Sequence, residues 1–126
     1  MAKVLDSSAV LAFLYGEPGA EEVRPDLLEG IISAVNAAEV LAVLVRKGAP
    51  LEEAVLALQK TRLQVQEFSA AVAVKTVGLQ FRGHGLSLGD RACMATGLLL
   101  QLSVVRAERN WVKLDVSGLK IELMGS

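Results

Sequence analysis

Two kinds of run divide the chain. Short blocks that are apolar and rich in β-branched residues, "KVL" (3–5), "IISAV" (31–35) and "LSVVR" (102–106), read as strands covered on both faces. "LQVQEF" (63–68) is a weaker strand candidate, and "LKIEL" (119–123) alternates apolar and polar side chains as an edge strand should. The stretches between them carry helical spacing. "SSAVLAFLYG" (7–16) reads as a helix stopped by Gly16, and "AEEVRPDLLEG" (20–30) as a short helix interrupted by Pro25. Val40, Leu41, Leu44 and Val45 form one stripe, ending at Gly48 as C-cap, and Leu51, Ala54, Val55 and Leu58 form a second. A helix over 69–81 is capped by Ser69, another runs from "LSLGDRACMA" to about Leu100, and "ERNWVKL" (108–114) is a single short helix.

Strands alternating with helices predict an α/β fold, a single domain over 1–126 with a mostly parallel sheet of about five strands. Ligands of such sheets gather outside the carboxyl ends of the strands. Asp6 directly follows the first strand, Glu108 follows the fourth, and Glu39 lies on the first turn of the helix after the second. Asp90 opens the helix that feeds the fourth strand, so its N-terminus can reach the same rim. Four acids are thereby expected together.

Composition narrows the class. Of 126 residues, 52 % are hydrophobic and 21 % charged, which is a folded globular chain. A mean hydropathy of +0.45 is high for a small domain and points to apolar surface at a subunit or partner interface. The apolar runs fall short of the ~20 residues a spanning helix needs, and "MAKVLDSS" reaches a charge too soon for a signal peptide, so no membrane association is expected. The single cysteine, Cys93, excludes an internal disulfide and fits a reducing cytoplasm. With 13 basic against 14 acidic side chains, a broad basic face for long duplexes is not expected.

Each acid also has a plain structural reading. Asp6 caps the helix that starts at Ser7, Asn36 with Glu39 makes a capping box, and Ser87 with Asp90 makes another. Taken together the acids ask for more. Two carboxylates about 4 Å apart repel by ~4 kcal/mol at an effective dielectric of ~20, so such a cluster takes up protons or a cation. Oxygen donors without histidine or thiolate suit a hard ion, Mg²⁺ or Mn²⁺, and metal-assisted phosphodiester hydrolysis is the matching reaction class.

The segments "VLDSSAVLAFLYGEPG", "ISAVNAAEVLAVLVRKG", "GLSLGDRACMATGLLL" and "VVRAERNW", in this order, closely resemble the PIN-domain ribonucleases, and among them the VapC toxins of toxin–antitoxin pairs. The resemblance spans essentially the whole chain. It implies an α/β/α sandwich, a Mg²⁺- or Mn²⁺-dependent endoribonuclease leaving a 5′-phosphate, a homodimer, and a cognate antitoxin that wraps the toxin. It also implies Asp6 and Asp90 as principal metal ligands, with Glu39 positioning water and Glu108 completing the shell. Glu108 stands where that family usually has aspartate, and Arg106 replaces a small hydroxyl residue. Ser7 matches a family serine that orients a carboxylate or water.

The other features read as bland. Arg91, Arg106 and Arg109 flank the acids and are candidate contacts to RNA phosphates, each otherwise a solvated surface charge. Cys93 is a packing residue with no histidine to activate it, His84 sits in a turn, and Trp111 anchors its own short helix. The stripes over 40–58 are core, and whatever remains exposed there suits an antitoxin helix. "GHGLSLG" (83–89) is no dinucleotide loop, because no strand precedes it. A haloacid-dehalogenase-type phosphatase needs a second acid where this chain has Ser8. The remaining alternatives are a non-catalytic PIN-like module that binds RNA or a partner, and a purely structural dimer.

Overall fold

The computed structural model describes residues 2–79, 86–107 and 116–124. Five strands, β1 (Val4–Leu5), β2 (Ile31–Ser33), β3 (Gln64–Gln66), β4 (Val104–Arg106) and β5 (Ile121–Leu123), form one sheet. The spatial order is β3-β2-β1-β4-β5 and every pairing is parallel. The chain winds outward from β1 to β3 and then returns to lay β4 on the other side of β1. The carboxyl ends of β1 and β4 therefore flank the point where the winding reverses, the place at which parallel sheets open a crevice.

Successive strand residues point to opposite faces, and each face has its own core. Leu5, Ile32 and Val105 pack with Ala9 and Val10 of α1 (Ser7–Leu14), Leu27 of α2 (Arg24–Leu27), Val40 of α3 (Ala34–Arg46) and Leu58 of α4 (Leu51–Lys60). Val4 and Val104 pack on the other face with Val72 of α5 (Ala70–Val77) and Cys93, Met94 and Ala95 of α6 (Leu88–Leu100). Helices on both faces of a parallel sheet give the expected α/β/α layering.

Several boundaries differ from the sequence reading. The run 31–35 is strand only through Ser33, because the Ser33 hydroxyl accepts the Val35 N–H at 3.2 Å and starts α3 at Ala34. Asn36 is therefore inside the helix, and Ser33 is the N-cap. Pro25 does not break a longer helix. It stands in the first turn of α2, where its missing N–H costs nothing, after a 3-10 turn over Ala20–Val23. The helix expected over 69–81 is regular over Ala70–Val77, with Ser69 accepting from the Val72 N–H as expected. Gly48 follows the end of α3 with a φ of +109°, the left-handed cap that the sequence indicates. The apolar surplus lies partly outside, with Leu28, Leu51, Val74 and Val77 each more than 60 % exposed. No helix among the described residues is long and apolar enough to cross a membrane.

One polar clamp ties the sheet edge to the helical layer. Lys3 Nζ, just before β1, lies 2.9 Å from Glu122 Oε1 of β5 and 3.2 Å from Asp26 Oδ1 of α2. The hydrogen bond from Lys3 holds the Glu122 carboxyl below its usual value, and the same bond raises Lys3. A depressed carboxyl contributes stability above its unfolded value that is lost as pH falls through the folded one. Lys3→Met is therefore expected to cost about 0.5–1 kcal/mol near neutral pH. That difference should shrink as pH falls through the lowered folded value of Glu122, where the carboxyl loses its charge. Urea unfolding of both proteins across that range measures it, and a pH-independent difference would assign the effect to packing of the lysine stem.

Candidate active site

Sheet register builds the centre of the site. Val4 pairs with Val104 and Leu5 with Val105, so the next residues, Asp6 and Arg106, come side by side. Asp6 N–H donates to the Val105 carbonyl at 2.8 Å and fixes that step. The two side chains share the α6 face, because Val4 and Val104 two positions back do. Arg106 is 1 % exposed and Asp6 2 %. The guanidinium Nη2 lies 3.9 Å from Asp6 Oδ2, and Nη1 lies 3.7 Å from Asp90 Oδ1. Arg106 was expected to place a cation beside the acids, as a solvated charge or a contact to RNA phosphate. It is instead a buried cation between two of the candidate acids, placed there by the alternation of β4.

The helix starts supply the acids. Asp6 caps α1, accepting the Ser8 N–H at 3.2 Å and the Ser8 hydroxyl at 2.6 Å. Ser8 Oγ also accepts the Ala107 N–H at 3.0 Å, so this hydroxyl joins the start of α1 to the chain leaving β4. Burial pushes the Asp6 carboxyl above its ordinary value, against the lowering effect of the Ser8 hydrogen bond and the Arg106 charge. Asp90 and Ser87 form the expected capping box, Ser87 N–H to Asp90 Oδ2 at 3.1 Å and Asp90 N–H to Ser87 Oγ at 3.0 Å.

Glu39 does not cap its helix. Its Oε1 accepts from Ser7 Oγ at 3.1 Å and from Asn36 Nδ2 at 2.8 Å. Ser7 thus orients a carboxylate, as the resemblance implies. Asn36, fully buried, also donates to the Gly89 carbonyl at 3.1 Å and so ties α3 to the first turn of α6. Gly89 leaves the room for this arrangement. A Cβ there would come within 2.5 Å of Glu39 Cδ and Oε1, closer than real Cβ atoms approach. The roles of Asn36, Ser8 and Gly89 were not read from the sequence. Only the spacing Asn36 to Glu39 hinted at one of them, and it was assigned as a cap.

Asp6, Glu39 and Asp90 are thus linked through Arg106, Ser7, Asn36 and Gly89 at one end of the sheet. Glu108, His84, Arg109, Trp111 and the short helix expected over 108–114 lie outside the described residues. Arg91 is half-buried, with Nε donating to the Ser87 carbonyl at 3.4 Å. Beneath the acids, Cys93 is fully buried, and desolvation with the field of Asp6 pushes its thiol well up, which removes it as a nucleophile.

The donor chemistry suits a hard divalent ion: carboxylate oxygens, beside the buried Asn36 Oδ1, an acceptor with no hydrogen-bond partner among the described residues. The spacing is looser than a finished metal centre. Among the described residues no three acidic, histidine or cysteine side chains stand close enough together to hold an ion, and a guanidinium lies between Asp6 and Asp90.

A PIN domain family model matches residues 3–116. Comparison with curated proteins gives no match. Among solved structures, the chain is similar to VapBC2 from Rickettsia felis bound to a DNA fragment from their promoter, with a TM-score of 0.74 at 18 % identity over 98 % of each chain. It is similar to the DNA-bound VapBC of Salmonella typhimurium, with a TM-score of 0.72 at 19 % identity over 98 % of this chain and 99 % of that one. It also resembles VapBC-5 of Mycobacterium tuberculosis, with a TM-score of 0.65 at 20 % identity over 97 % and 98 %. At such identities these structures speak for the fold. With the family model spanning nearly the whole chain and a parallel five-stranded sheet to match, the chain belongs to the PIN domain family.

Proposed function

We propose that this PIN domain is a divalent-metal-dependent endoribonuclease of the VapC toxin type, with Asp6, Glu39, Asp90 and Glu108 as its acidic set. The observation that carries the reading is the convergence of Asp6, Glu39 and Asp90, from three separate segments, at the carboxyl end of the sheet. Structural neighbours that are VapBC toxin–antitoxin complexes support it. Asp6 and Asp90 would hold a Mg²⁺ or Mn²⁺ ion, with Glu39 and Glu108 completing its surroundings. Such an ion, when bound, activates water and neutralises charge developing on the phosphate. Ser8 fixes the rotamer of Asp6, and Ser7 with Asn36 fixes that of Glu39. On this reading the partners are a cognate antitoxin and a second copy of the chain. The exposed Leu51 and Leu56 of α4, with Val74 and Val77 of α5, offer apolar surface for them.

The position of Arg106 favours a second reading, a PIN module that binds RNA or a partner without cutting, because the guanidinium already occupies the space between Asp6 and Asp90 and offsets part of their charge. Turnover separates the two. The purified chain, incubated with structured RNAs and Mg²⁺ or Mn²⁺, is expected to give discrete cuts that EDTA abolishes. Asp90→Asn keeps an acceptor for the cap and is expected to lose cleavage by about 100-fold or more. RNA bound but left intact by a folded, metal-loaded protein would establish the binding module instead.

Gly89 gives a finer test of Glu39. In Gly89→Ala the new methyl displaces a flexible carboxylate rather than backbone, so the fold should hold: the helix gains ~0.5–1 kcal/mol in propensity against hydrogen bonds worth about 1 kcal/mol each. Cleavage should nevertheless fall by about tenfold or more, since small misplacements of a catalytic group are costly. Combined with Glu39→Ala, which vacates the space, Gly89→Ala should add almost nothing. Additive losses in the double variant would remove Glu39 from the explanation.

A further inference from the structure

The strand register that sets Asp6 beside Arg106 places a permanent cation in the acidic site itself. A guanidinium stays protonated at any pH a protein survives, so it cannot yield the position by losing its charge. Divalent ions of this class sit ~2.1 Å from a carboxylate oxygen, so an ion held directly by Asp6 Oδ2 would lie within about 6 Å of the Arg106 Nη2 that is 3.9 Å from that oxygen. The same holds at Asp90 Oδ1, which is 3.7 Å from Nη1. With the arginine 1 % exposed, little water screens the two cations from each other.

Resting on the metal-dependent reading above, we propose that Arg106 is a resident cation that competes with the divalent metal for Asp6 and Asp90, and so weakens metal binding at this site. Arg106 offsets part of the charge of the buried Asp6 and the partly exposed Asp90 when no metal is bound. A metal enters against the guanidinium, by repulsion or by displacing it from between the carboxylates. Loading of the site is thereby set by metal concentration rather than being constitutive.

The test is Mn²⁺ affinity of the intact chain, read from the electron paramagnetic resonance signal of free Mn²⁺ and independently by calorimetry. The proteins are the wild type, Arg106→Gln, Arg106→Lys, and Arg106→Gln combined with Asp90→Asn. Arg106→Gln, neutral and of similar reach, is expected to bind Mn²⁺ about tenfold or more tightly than wild type, while Arg106→Lys stays near wild type. The added Asp90→Asn should cancel the gain. If Arg106→Gln folds poorly in metal-free buffer, Mn²⁺ should restore its cooperative unfolding by circular dichroism, and failure to do so overturns the proposal. Equal affinity in wild type and Arg106→Gln overturns it and leaves the metal-dependent reading standing. Equal tightening by Gln and Lys also overturns it, since packing and not charge would then be the cause. Absence of Mn²⁺ binding in all four proteins overturns both.

Discussion

The buried contact of Arg106 with Asp6 and Asp90 is what the rest of the site is arranged around. Taking a guanidinium out of water is affordable only when opposite charges and hydrogen bonds replace its hydration, and removing a partner from such a group costs roughly 3–5 kcal/mol. The parallel register of β1 and β4 delivers Asp6, and the capping box at the start of α6 holds Asp90. Neither acid has freedom to leave. In turn the cation moderates the burial that raises the Asp6 carboxyl. The core strands, a helix start and the acidic site are therefore one electrostatic unit, and the point of reversal in the sheet is where they meet.

A carboxylate has two oxygens, so capping a helix leaves acceptor capacity for a second contact. Asp90 gives Oδ2 to the Ser87 N–H and turns Oδ1 towards Arg106. Asp6 caps α1 and faces Arg106 with the same Oδ2, helped by the Ser8 hydroxyl. Structural and chemical duties are therefore not alternatives at these positions. A helix N-terminus supplies N–H groups that orient a carboxylate without consuming all its acceptor capacity. Glu39 differs: its longer chain leaves the cap to Ser33 and is oriented by side chains, Ser7 and Asn36.

The layered α/β fold was legible because the strands are short apolar runs and the helices keep their stripes, and both signals are local. So were the caps at Asp6, Ser69 and Ser87, where a side chain meets an N–H two or three residues away. The end of β2 was not, since "IISAV" is uniformly apolar and only the hydroxyl of Ser33 turns the chain into helix. What escaped altogether was long-range. Arg106 reads as a cation beside the acids, but as a solvated one, until the register with β1 places it on the buried face. Gly89 reads as a helix residue until Glu39, from another helix, is set against it. Ser8 served in the sequence only to exclude a phosphatase, yet its hydroxyl links Asp6 with Ala107 across the sheet.

The floor under the acids sharpens these interactions. Cys93, close enough to feel the charges of Asp6 and Arg106, belongs to a fully buried apolar cluster with Met94 and Val104. Low polarizability on that side strengthens every charge–charge term above it, attractive or repulsive. A thiol is well suited to such a floor: it packs as a small apolar group and, with its ionisation pushed far up, adds no charge to an already acidic site. Any cation approaching Asp6 and Asp90 thus meets both the full attraction of the carboxylates and the full repulsion of Arg106. The balance between those two terms, rather than the number of acids, governs what the site can hold.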